Sequence, residues 1–165
     1  MKLQNKPTKS KVTVVNITTL IIFFTSLAFI YLDIPAFGYH DEMISVISLV
    51  ILLYLTYLGC PFFMYDSEGE TLIFQNQKAL PFSFFVKEIQ SDFPKRKLKN
   101  FNIKNRFFFK KILEIYISSK RVNSGLSKID FDISYLSAKQ IRDLRTSLKR
   151  VLHENTQYQQ NKEKL

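Results

Sequence analysis

The sequence predicts a membrane α-helical hairpin followed by a small α+β domain, in which an antiparallel β-barrel or sheet is closed by one C-terminal amphipathic helix. Three observations carry the prediction. Two runs, Val12 to Leu32 and Met43 to Met64, hold no charged side chain, and each is long enough to cross about 30 Å of hydrocarbon as a helix. Two later stretches alternate apolar and polar residues with a period of two, and a third repeats apolar residues at helical spacing.

Residues 1–11, MKLQNKPTKSK, form a basic leader with Lys2, Lys6, Lys9 and Lys11. Residues 12–32 and 43–64 are the two transmembrane helices, and 33–42 is the short loop that forces them into a hairpin. The first run ends in FIYLDIPAF, without a small-residue cleavage pattern, so it reads as a retained helix. Its Asn16, Thr18, Thr19 and Thr25 make it the more polar of the two and are candidates to face the partner helix. The loop carries Asp33, Asp41 and Glu42 and no Lys or Arg. Excess cationic charge stays on the cytoplasmic side, which puts the leader and everything after Tyr65 in the cytoplasm and the loop outside. His40 stands beside Asp41 and Glu42, but without a second His nearby it reads as part of a solvated turn, and no metal site is expected. Cys60, the single cysteine, lies in an apolar context and reads as a buried or lipid-facing thiol.

The cytoplasmic domain covers residues 65–152. Asp66 to Gly69 sit between two β-rich runs, Phe62 to Tyr65 and Thr71 to Gln75, which predicts a hairpin. Further strands are expected at Phe82 to Ile89 and Leu98 to Lys104, with Phe101 and Ile103 on one inward face. Leu113, Ile115 and Ile117 alternate with Glu114, Tyr116 and Ser118, and Ile129, Phe131, Ile133 and Tyr135 alternate with Asp130, Asp132 and Ser134. These are the clearest strands, joined by a turn at Asn123, Ser124 and Gly125. Ser137 can cap the final helix with Gln140 at the capping-box position, and Ile141, Leu144, Leu148, Val151 and Leu152 then form its apolar stripe. Residues 153–165 are polar and read as a frayed tail.

The net charge is +10 and the pI about 9.7, which calls for an anionic partner or surface. Residues 65–165 hold 20 basic and 11 acidic side chains, so nearly all the excess lies in the cytoplasmic part. It peaks between Phe93 and Lys111, a stretch with eight basic residues, five phenylalanines and no acid. Lys95, Arg96, Lys97, Lys99, Lys104, Arg106, Lys110 and Lys111 are therefore the candidates for binding an anion or anionic lipid. Arg142, Arg145, Lys149 and Arg150, on the polar faces of the last helix, are the candidates for docking a partner.

Phenylalanines between cations could stack on nucleic-acid bases, but no RNA-binding signature stands beside them, and Phe101 and Ile103 belong to the core face. Phe107 to Phe109 read either as a buried hairpin end or as a membrane-dipping one. No enzyme is expected, and no cofactor. GxSxG, P-loop, HExxH and CxxC patterns are all missing, His40 and His153 fall on opposite sides of the membrane, and Asp130 and Asp132 belong to the polar face of a strand.

YDSEGETLIF, FPKRKLKNFNI and FDISYLSAKQIRDLRTSLKRVL, behind two membrane helices, give a layout that resembles small bacterial membrane proteins carrying a pleckstrin-homology-like domain after a transmembrane hairpin. The resemblance implies a multi-pass protein of the bacterial inner (cytoplasmic) membrane whose domain is a binding platform. Its expected work is to scaffold or dock, with membrane lipid and the protein subunits of a membrane complex, or further copies of itself, as partners. If the domain takes a lipid headgroup, the resemblance points to Lys95, Arg96, Lys97 and Lys99. The alternative is a ligand-gated membrane effector, in which the β-rich domain senses an anionic small molecule such as a cyclic nucleotide and the hairpins rearrange.

Overall fold

The computed structural model describes residues 1–32, 40–79, 88–119 and 125–163. The chain is α+β, with two antiparallel sheets and a long C-terminal helix. The first element is unexpected. Lys2–Gln4 form a strand, β1, and one residue later Lys6–Tyr31 form helix α1. The expected basic leader is thus an edge strand plus the first turns of a helix. Pro7 sits where its missing N–H costs nothing, in the first turn of α1.

α1 is long and apolar enough to cross a membrane. Helix α2, Asp41–Leu58, is shorter than the expected run from Met43 to Met64. It stops before Gly59, Cys60 and Pro61, and Phe62–Asp66 pass instead into strand β2. Gly59 needs its freedom twice over: its φ is +91°, and a Cβ there would collide with the Asp132 carboxylate. α1 and α2 pack against one another. Asn16, Thr19 and Ser26 of α1 and Ser45 and Ser48 of α2 are buried, while Thr18 and Thr25 are exposed. Small polar side chains allow close helix approach, and Thr19, Ser26 and Ser48 also satisfy their hydroxyls on their own backbones.

β2 pairs with β1 on one side and with β3, Thr71–Gln77, on the other. The hairpin expected around Asp66 to Gly69 is therefore present. β4, Ile89–Pro94, completes the sheet in the order β1-β2-β3-β4. The strand expected at Phe82 to Ile89 falls, apart from Glu88 and Ile89, outside the described residues. A 3-10 turn, Lys95–Lys97, leads to the second sheet, β5-β6-β7, formed by Leu98–Asn105, Lys111–Ser118 and Leu126–Asp132. Of the turn expected before β7, Asn123 and Ser124 lie outside the described residues, and Gly125 adopts φ +68°. Among the described residues the strands form two sheets and not one closed barrel.

The two sheets and the last helix, α3, Ala138–Glu163, enclose one core. Phe74 is its hub. Its ring lies 5.0 Å from Phe131 in the other sheet, 5.8 Å from Phe93 and 5.1 Å from Tyr65. Leu113, Ile115 and Phe131 face inward as their alternation requires, and Leu144, Leu148 and Val151 close the core from α3. Phe101 and Ile103 pack at its margin. The capping box forms: the Gln140 amide N–H donates to Ser137 Oγ at 3.2 Å, and the Ser137 N–H donates to Gln140 Oε1 at 2.9 Å.

Two further sequence boundaries move. The helix does not fray after Leu152 but continues through Glu163. A domain cut at residue 65 would discard β1 and most of β2, because the helical pair α1–α2 is inserted between two neighbouring strands of one sheet.

Candidate functional site

The basic stretch is divided by β5. Lys95, Arg96, Lys97 and Lys99 lie at its start, while Arg106, Lys110 and Lys111 lie past its end. Eight residues of strand put about 26 Å between the two groups, so the whole set cannot converge on one small ligand. The first group forms a corner that α3 pins in place. Asn155 Nδ2 donates to the carbonyls of Lys95 and Leu98 at 2.8 and 3.0 Å, and the Arg96 guanidinium sits 4.4 Å over the Tyr158 ring. Both partners come from the segment expected to fray, and nothing in their local pattern marks them.

One member of the second group, Lys111, meets the other candidate set. Ile103 and Asn105 of β5, Lys111 of β6, and Ile141, Arg142 and Arg145 of α3 line a groove of about 360 Å³. Its cations come from both lists, Lys111 from the anion candidates and Arg142 and Arg145 from the docking candidates. The capping box sets the first turn of α3, which fixes where the two arginines emerge. Lys111 is held from the backbone side: its N–H donates to Ser134 Oγ at 3.0 Å, and Ser134 Oγ donates to Asp132 Oδ1 at 2.6 Å. A groove lined by Ile103, Ala138 and Ile141 together with two guanidinium forks suits phosphate or carboxylate, which each fork can engage through two parallel hydrogen bonds. Lys149 and Arg150 are exposed farther along α3 and do not line it.

A larger cleft, about 580 Å³, opens where α1 leaves the sheet and is lined by Lys6, Lys9, Ser10, Phe62, Met64 and Gln77, among others. Lys9 Nζ donates to Gln77 Oε1 at 2.6 Å and lies 5.8 Å from the Phe62 ring. The lysines were legible as charge. Their position over β2 and β3 was not, because it depends on β1.

Lys104 and Lys110 already have partners. Lys110 Nζ donates to the Tyr57 carbonyl at 2.8 Å and lies 3.9 Å from Asp132. Lys104 Nζ lies 3.0 Å from Glu114 Oε1, and Lys128 Nζ donates to the same oxygen at 2.7 Å. Alternation puts Glu114 on the polar face of its strand, yet the lysine stems and Tyr116, whose hydroxyl donates to Oε2 at 3.1 Å, bury it. The hydrogen bonds from Lys128 and Lys104 hold its carboxyl down at about 2 from an ordinary 4.5. A depressed carboxyl stabilises the fold above its unfolded value and loses that contribution as pH falls through the folded one. Thermal melts are therefore expected to fall between pH 4.5 and 2, and Glu114→Gln should lower the neutral melting temperature and flatten that acid limb. An unchanged acid limb in the variant would assign it to other carboxylates.

Asp130 pairs with Lys128 at 3.3 Å, as its place on the polar face suggested. Asp132 instead serves the seam below α2, and burial raises its carboxyl. Burial, reinforced by the nearby Asp132 charge, pushes the Cys60 thiol up to about 11, so it stays protonated and unreactive at neutral pH. His40 is exposed. No protein-family model, no curated protein and no solved structure matches this chain.

Proposed function

We propose that the chain is a non-catalytic, membrane-anchored interaction module, in which both helices cross the bacterial inner membrane and a basic, pleckstrin-homology-like domain rests on the cytoplasmic leaflet. There it docks anionic lipid or the acidic surface of a membrane-complex partner. One observation carries this reading: the apolar pair α1–α2 is inserted between paired strands β1 and β2. One residue, Asn5, joins β1 to α1, and three residues join α2 to β2, so a bilayer around the helices would hold the sheet at its surface without a linker. At 1.5 Å per residue α1 reaches about 39 Å and α2 about 27 Å, against about 30 Å of hydrocarbon. Four strands, then three, then one helix support the pleckstrin-homology-like reading of the domain.

The test uses the full chain, purified from its native cell in mild detergent, with its bound lipids and proteins identified. The expected result is enrichment of anionic lipid or of one stoichiometric acidic partner. A variant with Lys111→Glu, Arg142→Glu and Arg145→Glu should lose that enrichment while keeping its melting temperature. Equal retention by a folded variant would remove the groove from the proposal. The cleft between α1 and the sheet favours one second reading, the ligand-gated effector, since an anionic small molecule seated on Lys6 and Lys9 would touch helix and strand at once. A homo-oligomer that carries such a molecule and no partner would select it.

A further inference from the structure

The turn between β5 and β6 has a sequence that its own fold does not favour. Phe108 and Phe109 both have positive φ, +50° and +64°, and the Lys110 N–H donates to the Phe107 carbonyl at 3.4 Å, as in a type I′ turn. That turn suits Asn-Gly, and the left-handed conformation is disfavoured for bulky side chains. No core packing offsets this, because Phe107, Phe108 and Phe109 are 80%, 64% and 81% exposed. Backbone strain combined with exposed aromatic surface indicates a role outside the fold.

The turn is also fixed in place. The Tyr57 hydroxyl donates to the Phe107 carbonyl at 3.0 Å, and Lys110 Nζ both donates to the Tyr57 carbonyl and lies 4.9 Å over the Tyr57 ring. Tyr57 belongs to the last turn of the apolar helix α2. A helix of about 27 Å in about 30 Å of hydrocarbon keeps that turn at the level of the lipid boundary.

We propose that Phe107, Phe108 and Phe109 form a wedge that enters the headgroup–acyl boundary of the bilayer crossed by α1 and α2, with Arg106 and Lys111 as flanking cations at the anionic headgroups and Lys110 as the tie that holds the turn to α2. Aromatic rings are favoured at that depth, and cations beside them are drawn to anionic lipid. The wedge and the helices then contact the membrane at separate points and fix the tilt of the domain over the leaflet. The inference rests on the membrane reading above, and its test separates the two.

The chain contains no tryptophan, so Phe107→Trp in the full-length protein introduces a single fluorescent reporter at a position outside the strained pair. The protein is reconstituted into vesicles of anionic phospholipid brominated on the upper acyl chain. The expected result is blue-shifted emission that the brominated lipid quenches strongly. Flotation with the vesicles but water-like or unquenched emission would overturn the wedge and leave the membrane reading standing. Failure to float would overturn both. A second variant separates lipid insertion from a role in folding: Phe108→Asn with Phe109→Gly installs the preferred turn and should raise Tm in detergent by about 2–8 °C. On the Phe107→Trp background the same pair should lose most of the quenching. A lower Tm would mean that the rings serve the fold and would overturn the proposal.

Discussion

Leu144→Asp is expected to abolish cooperative folding of the β-domain. Leu144 is fully buried, in the core cluster shared with Leu98, Leu113, Phe131 and Leu148. The substitution removes a packed side chain and places an unpaired carboxylate in its space, with no cation among the buried residues of the cluster. Changes of this kind cost about 4 kcal/mol or more, against a total stability of about 5–15 kcal/mol. The loss is read as a missing thermal transition in detergent and rapid proteolysis of the domain. Arg145→Asp, one residue along on the exposed face, should shift stability by no more than about 0.5 kcal/mol. A Leu144→Asp protein that melts like the parent would mean that this stripe of α3 meets a partner or the bilayer in place of the core.

The contrast between these neighbours was legible from spacing alone, and so were β6, the start of α3 and β7, although β7 stops at Asp132 and the expected alternation through Ile133 and Tyr135 passes into a turn. Their signals are local: a period of two, a period near 3.6, and a Ser–Gln capping pair three residues apart. β1 and β4 carried no such signal. β1 has one apolar residue, Leu3, and exists because Tyr65, some sixty residues later, offers it an edge and a partner. In β4, IQSDFP, only Phe93 is buried, and the strand follows from pairing with β3. Polar residues 153–163 looked like a tail because nothing nearby shows that Asn155 bonds the corner before β5. Charge was readable for the same reason that position was not. Lys111, Arg142 and Arg145 declare themselves as cations one by one, but only the packing of α3 beside β5 and β6 brings them to one groove. Glu114 shows the opposite failure, because alternation assigned its face correctly while lysines from two neighbouring strands covered it.

Asn5→Ala is expected to cost about 2–5 kcal/mol, because it strands two buried backbone groups at once. Asn5 is only 3% exposed. Its Nδ2 donates to the Pro61 carbonyl at 2.8 Å, and its Oδ1 accepts from the Phe63 N–H at 2.7 Å. Its own backbone continues both elements: its N–H donates to the Phe63 carbonyl at 3.4 Å, and its carbonyl accepts from the Thr8 N–H at 3.0 Å. One side chain thus ties the point where the chain leaves the sheet for α1 to the point where it returns from α2. Alanine leaves the Phe63 N–H and the Pro61 carbonyl without partners in a site too tight for free exchange with water. Asn5→Asp separates the two bonds, because it keeps the acceptor for Phe63 but sets a carboxylate oxygen against the Pro61 carbonyl. Denaturant titration in detergent should therefore rank the parent above both variants. A parent-like midpoint for Asn5→Ala would mean that the helices are not keyed to the sheet here, and the rigid coupling behind the membrane-platform reading would fail. With the expected loss, distances between spin labels on α1 and β3 should broaden before the domain unfolds, since the seam is what keeps helices and sheet in a single orientation.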